Sequence, residues 1–364
     1  MASMDRREVW IILNALPSLT PRRLARLLGA FGDPRGILTA SEEELAEVIG
    51  TDAARKVARE RKEADPQREL SMASRAGATV ITVDDPAYPE VLLSLPSPPI
   101  VLYVLGELTP ADRKALAIVG TRRATSYGRL VARKLGQELA ARGITVVSGM
   151  APGIDIAAHK GALEAGRTIA VLGTGLGRPY PAGSEKLLQE IAEHGAVVSE
   201  FPWEMEGTKW TFPRRNRIIA GLSQGVIVVE APARSGALIT AEYALEQGKE
   251  VFAVPGPITS TASQGTNRLI QEGAVLVASV EDILGEFPGW GQRDQGEGRR
   301  IPELSPQARG VYEALAAEPL GISELMERTG LPHGELSGIL LELELAGLIQ
   351  ELPGRRFTRA DLGT

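Results

Sequence analysis

The chain of 364 residues is 43% hydrophobic and 24% charged, with a net charge of −6, a globular composition long enough for two or three domains. It has no cysteine and three scattered histidines (His159, His194 and His333), which excludes disulfides, thiolate nucleophiles and cysteine-ligated zinc and argues against a histidine-based metal site; no metal is expected. No apolar run approaches the roughly 20 residues that a bilayer span needs, and the charged start is unlike a secretory leader, so a cytoplasmic protein without membrane insertion is expected.

From the N-terminus, residues 1–75 carry helical periodicity: Val9, Ile12, Leu13 and Leu16, then Leu24, Leu27, Leu28 and Phe31. Thr20-Pro21 reads as a helix start and Ser41-Glu42-Glu43-Glu44 as a capping box. A small all-α domain of SAM-like or helix-hairpin-helix type is expected, with Arg22, Arg23 and Arg26 on a solvated face. Residues 84–99 hold five prolines and read as an extended crossing segment.

Residues 76–287 are expected to form one domain, in which strand and helix alternate from about 100 to 285. Strands are expected at 100–105, 116–119, 144–148, 168–172, 196–199, 226–230, 250–254 and 274–277, each a continuous β-branched run of the kind buried on both faces. Helices fit at 126–142, 155–165, 184–194 and 240–247. Such alternation specifies an α/β domain with an extended Rossmann-like, mostly parallel sheet. Residues 288–302 are polar and glycine-rich and read as a linker.

Residues 303–364 show three helices and a hairpin centred on Pro353-Gly354, the winged-helix pattern. Residues 301–364 carry 5 basic and 10 acidic side chains, and the presumed recognition helix has Glu335, Glu342 and Glu344 but no cation. Protein contact is therefore expected of this domain rather than DNA reading. Residues 105–285, with 19 basic and 18 acidic side chains, are about neutral but have their cations clustered.

In an open parallel sheet, turns after successive strands gather along the carboxyl edge, where backbone N–H groups attract anions. Four turns qualify: Gly120-Thr121-Arg122, Ser148-Gly149-Met150-Ala151-Pro152-Gly153, Gly173-Thr174-Gly175 and Ser235-Gly236-Ala237, with Thr240 following the last. Lys209-Trp210-Thr211-Phe212-Pro213-Arg214-Arg215-Asn216-Arg217 adds four cations and two aromatics with no acid. Aromatics interleaved with cations suit single strands, whose bases are free to stack, whereas a duplex hides those faces. Two string matches fail on context: Gly173–Gly177 lacks the third glycine of a dinucleotide fingerprint at Arg178, and Gly221-Leu222-Ser223-Gln224-Gly225 precedes a strand instead of following one.

These ordered blocks resemble the DprA (Smf) family of bacterial DNA-processing proteins. The likeness runs through Ala117–Arg122, Ser148–Asp155 with His159, Val171–Gly175 with Tyr180-Pro181, Phe212–Ser223, Ser235–Ala241, Val254-Pro255-Gly256 and Gly265-Thr266-Asn267. Thr121 stands where the family more often has serine, and Pro152 where a small residue is usual. The resemblance implies a single-stranded DNA binder that makes and breaks no bond. It further implies a homodimer formed through the Rossmann domain, loading a RecA-type recombinase onto incoming DNA in natural transformation. By motif, Gly120, Thr121 and Arg122 would meet a phosphate, and Ser148, Gly149 and Gly153 would line the strand path. Lys209, Phe212, Arg214, Arg215, Asn216 and Arg217 would form the basic wall, and Ser235, Gly236 and Thr240 the opposite turn. No cofactor is implied. The alternative is a Rossmann-like phosphoribohydrolase using Thr240 and Glu242, although the chain lacks that group's compact glycine signature.

Overall fold

The computed structural model describes residues 5–290, 304–315, 319–345, 348–352 and 355–359. Contacts divide the chain into two units, the second beginning at Arg293.

The first unit opens with six helices: α1 (Arg6–Asn14), α2 (Pro21–Phe31), α3 (Pro34–Thr39), α4 (Glu42–Ile49), α5 (Thr51–Glu63) and α6 (Pro66–Arg75). Thr20 caps α2 by accepting the Arg23 N–H, and Ser41 with Glu44 forms the expected capping box on α4. Their apolar stripes, with Trp10, Leu13, Leu27, Leu45 and Val57, pack on Val80, Val101 and Tyr103 of the sheet. The helical segment thus shares a core with one end of the α/β layer.

The sheet has nine strands: β1 (Thr79–Thr82), β2 (Val101–Gly106), β3 (Ala115–Val119), β4 (Thr145–Ser148), β5 (Thr168–Val171), β6 (Ala196–Ser199), β7 (Gly225–Val228), β8 (Glu250–Ala253) and β9 (Val275–Leu276). Their order is β1-β2-β6-β5-β4-β3-β7-β8-β9. Strands β3 to β9 are parallel, while β2 runs antiparallel to β6 and to β1. The chain steps outward from β3 to β6, then returns to place β7 on the other side of β3. That reversal opens a crevice beyond the carboxyl ends of β3 and β7, the position where doubly wound sheets take ligands.

Between the strands lie α7 (Ser126–Ala140), α8 (Ile154–Leu163), α9 (Glu185–His194), α10 (Thr211–Leu222), α11 (Gly236–Glu246), α12 (Gln264–Gln271) and α13 (Val280–Leu284). Side chains of β3 alternate between the two covering layers. Ala115, Ala117 and Val119 share a core with Ile218 and Ile219 of α10 and Ala237 and Ala241 of α11. Leu116 and Ile118 share the other with Leu135 and Leu139 of α7 and Ala158 and Ala162 of α8. Each such isoleucine or leucine stabilises the fold by about 1.5–3 kcal/mol relative to exposure.

Two expectations change. β1 and α10 were not foreseen from the sequence. The proline-rich stretch 84–99 is a string of turns rather than an extended crossing: Tyr88 donates its hydroxyl to the Pro99 carbonyl at 2.8 Å, and Leu92 and Leu95 enter the core that α10 covers. Prolines set φ in turns as readily as in extended chain, and buried leucines decide between the two. Of the linker expected at 288–302, Trp290 is stacked on Phe287 with ring centroids 4.6 Å apart, and 291–302 lie outside the described residues.

The second unit holds α14 (Pro306–Ala314), β10 (Leu320–Gly321), α15 (Ile322–Thr329), α16 (His333–Leu345), β11 (Ile349–Leu352) and β12 (Arg356–Arg359). The three strands pair in the order β10-β12-β11 over a core that includes Val311, Leu325, Leu340 and Phe357. This is the winged helix, with β10 added to the expected hairpin; the hairpin centre Pro353-Gly354 lies outside the described residues. Among the described residues no helix is long and apolar enough to cross a membrane.

Candidate nucleic-acid interface

Parallel pairing of β3, β4, β5 and β7 delivers all four glycine-rich turns to one edge of the sheet. The turns after β3 and β7 are tied directly, the Thr121 N–H donating to the Glu230 carbonyl at 2.7 Å. Glu230 is buried and accepts the Thr125 N–H at 2.9 Å and the Thr125 hydroxyl, which anchors the start of α7 beside the crevice. On the far side Ser235 caps α11 by accepting the Ala237 N–H at 3.3 Å.

The crevice is a trough of about 640 Å³. The β3 turn contributes Gly120, Thr121 and Arg122 to its lining, the α10 segment Lys209, Phe212, Arg215 and Asn216, and the α11 turn Ser235, Gly236 and Thr240. Arg123 and Arg234, both exposed, also line it and were missed from the sequence, although each flanks a recognised turn. The lining thus holds five cationic side chains, Arg122, Arg123, Lys209, Arg215 and Arg234, against one carboxylate, Asp155. The Arg122 guanidinium lies 4.8 Å from the Phe212 ring centroid and 5.6 Å from that of Tyr180, a cation held against aromatic faces.

Five proposed contact residues lie elsewhere. Ser148 is fully buried and donates its hydroxyl to the Ile118 carbonyl at 2.6 Å, so it joins β4 to β3 and offers nothing to a ligand. Gly149 lies under Arg215: a Cβ there would come within 2.6 Å of the guanidinium and 2.7 Å of the Asp155 carboxylate. Gly153 turns the chain at φ 94° into α8, where a Cβ would sit 2.4 Å from the Thr121 carbonyl. Arg217 is buried and grips Glu200 with two hydrogen bonds of 3.1 and 2.8 Å, and Arg214 adds a third at 2.8 Å. The stretch that reads as free of acid therefore meets its counter-charge at the end of β6. Long-range pairing of this kind is invisible in a local window.

Arg215 is a special case, since it lines the trough yet is only 4% exposed. Its guanidinium donates to the carbonyls of Gly149 and Val171, and at 3.2 Å to the Asn216 side-chain oxygen. It is a largely buried support whose Nε and Nη1 groups are taken up by these acceptors, and burial pulls it down to about 10. Asn216 in turn donates to the Gly236 carbonyl at 3.1 Å, fastening α10 to the start of α11. Asp155 accepts the Ala151 N–H at 3.2 Å, and burial raises its carboxyl to about 6 despite the neighbouring Arg215. His159 is wholly buried against the Thr168 hydroxyl at 2.7 Å and is driven down to about 3, so it stays neutral and structural. The basic wall thus reduces to four exposed cations, Arg122, Arg123, Lys209 and Arg234, above one buried guanidinium.

A second cavity of about 550 Å³ lies between the N-terminal helices and the sheet. Trp10, Leu24, Pro96 and Phe201 dominate its apolar walls, which are unsuited to a polyanion.

Known proteins resemble the chain in sequence and in fold. The family described as DNA recombination-mediator protein A matches residues 79–288, and the DprA winged helix domain matches residues 295–355. Protein Smf of Escherichia coli is 44% identical over 283 residues, covering 76% of each chain. The DNA processing protein DprA of Bacillus subtilis is 44% identical over 223 residues, 61% of this chain and 75% of the relative. The X-ray structure of DNA processing protein A from Streptococcus pneumoniae superposes with a TM-score of 0.67 at 35% identity, covering 78% of this chain and 98% of that one. DNA processing protein A of Helicobacter pylori, a structure described for its unique single-stranded DNA binding mode, gives 0.52 at 33% identity over 57% of this chain and 95% of that one. With the switch-point trough and the winged helix both in place, the chain belongs to the DNA recombination-mediator protein A family and has a DNA-processing role in recombination.

Proposed function

We propose that the trough seats single-stranded DNA. In this reading the chain protects incoming strands and loads a RecA-type recombinase onto them in natural transformation. It acts in the cytoplasm as a homodimer formed through the α/β domain and makes or breaks no bond. The observation that carries the reading is the meeting of five cations and Phe212 around one trough at the switch point. Phosphates over the exposed guanidinium and ammonium groups would supply most of the affinity. The aromatic residues favour a single strand over a duplex. The single-stranded DNA binding mode described for the Helicobacter pylori relative supports the same ligand.

The residues weighed for a phosphoribohydrolase are split: Thr240 borders the trough, but Glu242 is exposed on α11 and outside the lining. The carboxylate present, Asp155, sits beneath Arg215 rather than open to a sugar. The test is titration of labelled single-stranded and duplex oligonucleotides at about 50 and 200 mM salt. Tighter binding of the single strand, weakening with salt, is expected. Equal affinity for duplex, or affinity indifferent to salt, would overturn the proposal. Acceleration of recombinase filament growth on the bound strand tests the loading role.

A further inference from the structure

Trp210 stands at the entry to α10 with 73% of its surface exposed, the most of any large aromatic side chain among the described residues. Leaving an indole in water wastes the stabilisation its burial would bring. Its backbone, however, is firmly held. Trp210 and Thr211 donate their N–H groups to the Thr208 hydroxyl at 3.2 and 3.3 Å, and the Thr208 N–H returns a bond of 2.9 Å to the Thr211 hydroxyl. The exposed ring is therefore mounted on an ordered turn.

Its position relative to the trough is specific. Trp210 is not part of the lining, but the residue before it, Lys209, is, and the Lys209 ammonium lies 5.1 Å from the indole centroid. Phe212, the aromatic inside the trough, is already crowded. Arg122 lies on its ring, Tyr180 meets it at 5.3 Å between centroids, and a Cβ on Gly173 or Gly207 would come within 2.5 or 2.7 Å of its ring atoms. The exposed indole of Trp210 lies outside the trough, one residue along the chain from Lys209 in its lining.

Resting on the proposed binding of single strands, we infer that Trp210 is a base-stacking shelf. The strand leaves the trough across Lys209 and lays a base on the indole beyond. An open π-face receives any base, so the contact adds affinity and site length without sequence preference.

The test uses the full chain and oligothymidylate, with an oligonucleotide of the same length lacking its bases as control. Subtracting the emission of Trp210→Phe isolates Trp210 from the other three tryptophans. Oligothymidylate should quench the Trp210 signal and the base-free strand should not. Trp210→Ala should weaken oligothymidylate binding about five- to tenfold, while Trp210→Phe, which keeps a stacking face, should bind within about twofold of the parent. Tight binding with Trp210 emission and Trp210→Ala affinity both unchanged would overturn the shelf and leave the trough intact. Failure of the parent chain to bind any single strand would overturn both.

Discussion

Replacing Arg122 with alanine gives the trough its sharpest electrostatic test. Of the five lining cations, Arg215 is buried with its Nη1 group on the Gly149 and Val171 carbonyls, which leaves the exposed Arg122, Arg123, Lys209 and Arg234 for phosphates. At about 0.7 counterion released per phosphate on a single strand, four contacts give a slope near −3 in log affinity against log salt. Affinity should then fall about 50-fold between about 50 and 200 mM salt. Arg122→Ala removes one contact, so the slope should approach about −2 and the same change in salt should cost about 20-fold. Arg122 is exposed and rests on the Phe212 and Tyr180 rings, so the melting temperature should barely move. Arg122→Lys keeps the charge and should keep the slope. The assay is fluorescence anisotropy with one labelled strand at four salt concentrations. A folded Arg122→Ala protein with the parent slope would refute the counting and the placement of phosphate over this turn.

Asp155 makes both stability and binding depend on pH. Its carboxyl is raised from 3.8 to about 6, so the folded state holds the extra proton between those values. Its stabilising contribution is full below the lower value and is lost as pH rises through the upper one. Lowering the pH from about 7 to 5 should remove a negative charge next to Arg215 and Arg122 and tighten single-strand binding, and Asp155→Asn should flatten that response; His159, neutral down to about 3, contributes nothing there. A parent chain with no such pH dependence contradicts the assignment. Arg215→Ala should lower stability by about 1–3 kcal/mol, because it leaves the buried Gly149 and Val171 carbonyls without this donor, and chemical denaturation reads this directly. Unchanged stability with lost binding would return Arg215 to the ligand surface. Ser148→Ala should cost about 1 kcal/mol of stability and leave single-strand affinity alone; weaker binding at unchanged stability would place its hydroxyl on the strand path after all.

Much of the α/β layer is readable from local pattern. Runs such as Leu116–Val119 and Thr168–Leu172 are continuous because both faces of their strands are covered, and the Ser41–Glu44 box carries its own geometry. The turn residues Gly120, Arg122, Ser235 and Gly236 were legible for the same reason, since a glycine turn after a buried strand has one place to go in a parallel sheet. What escaped depends on partners far along the chain. Nothing near Arg214 and Arg217 announces Glu200, and the inward direction of Ser148 is set by the register of β4 against β3. β1 hides in the four residues Thr79–Thr82, and α10 was obscured because its first turn carries the charges that drew attention. Arg123 and Arg234 needed only a wider view of turns already recognised.

The binding proposal puts a single strand in the trough between the turns of β3 and β7. It is tested most directly by photo-crosslinking a single strand carrying iodouracil and mapping the adducts by peptide mass spectrometry. Adducts are expected in the peptides bearing Arg122–Arg123, Lys209–Phe212 and Arg234–Gly236. Adducts confined to the winged helix, or to the helices before Thr79, would contradict it.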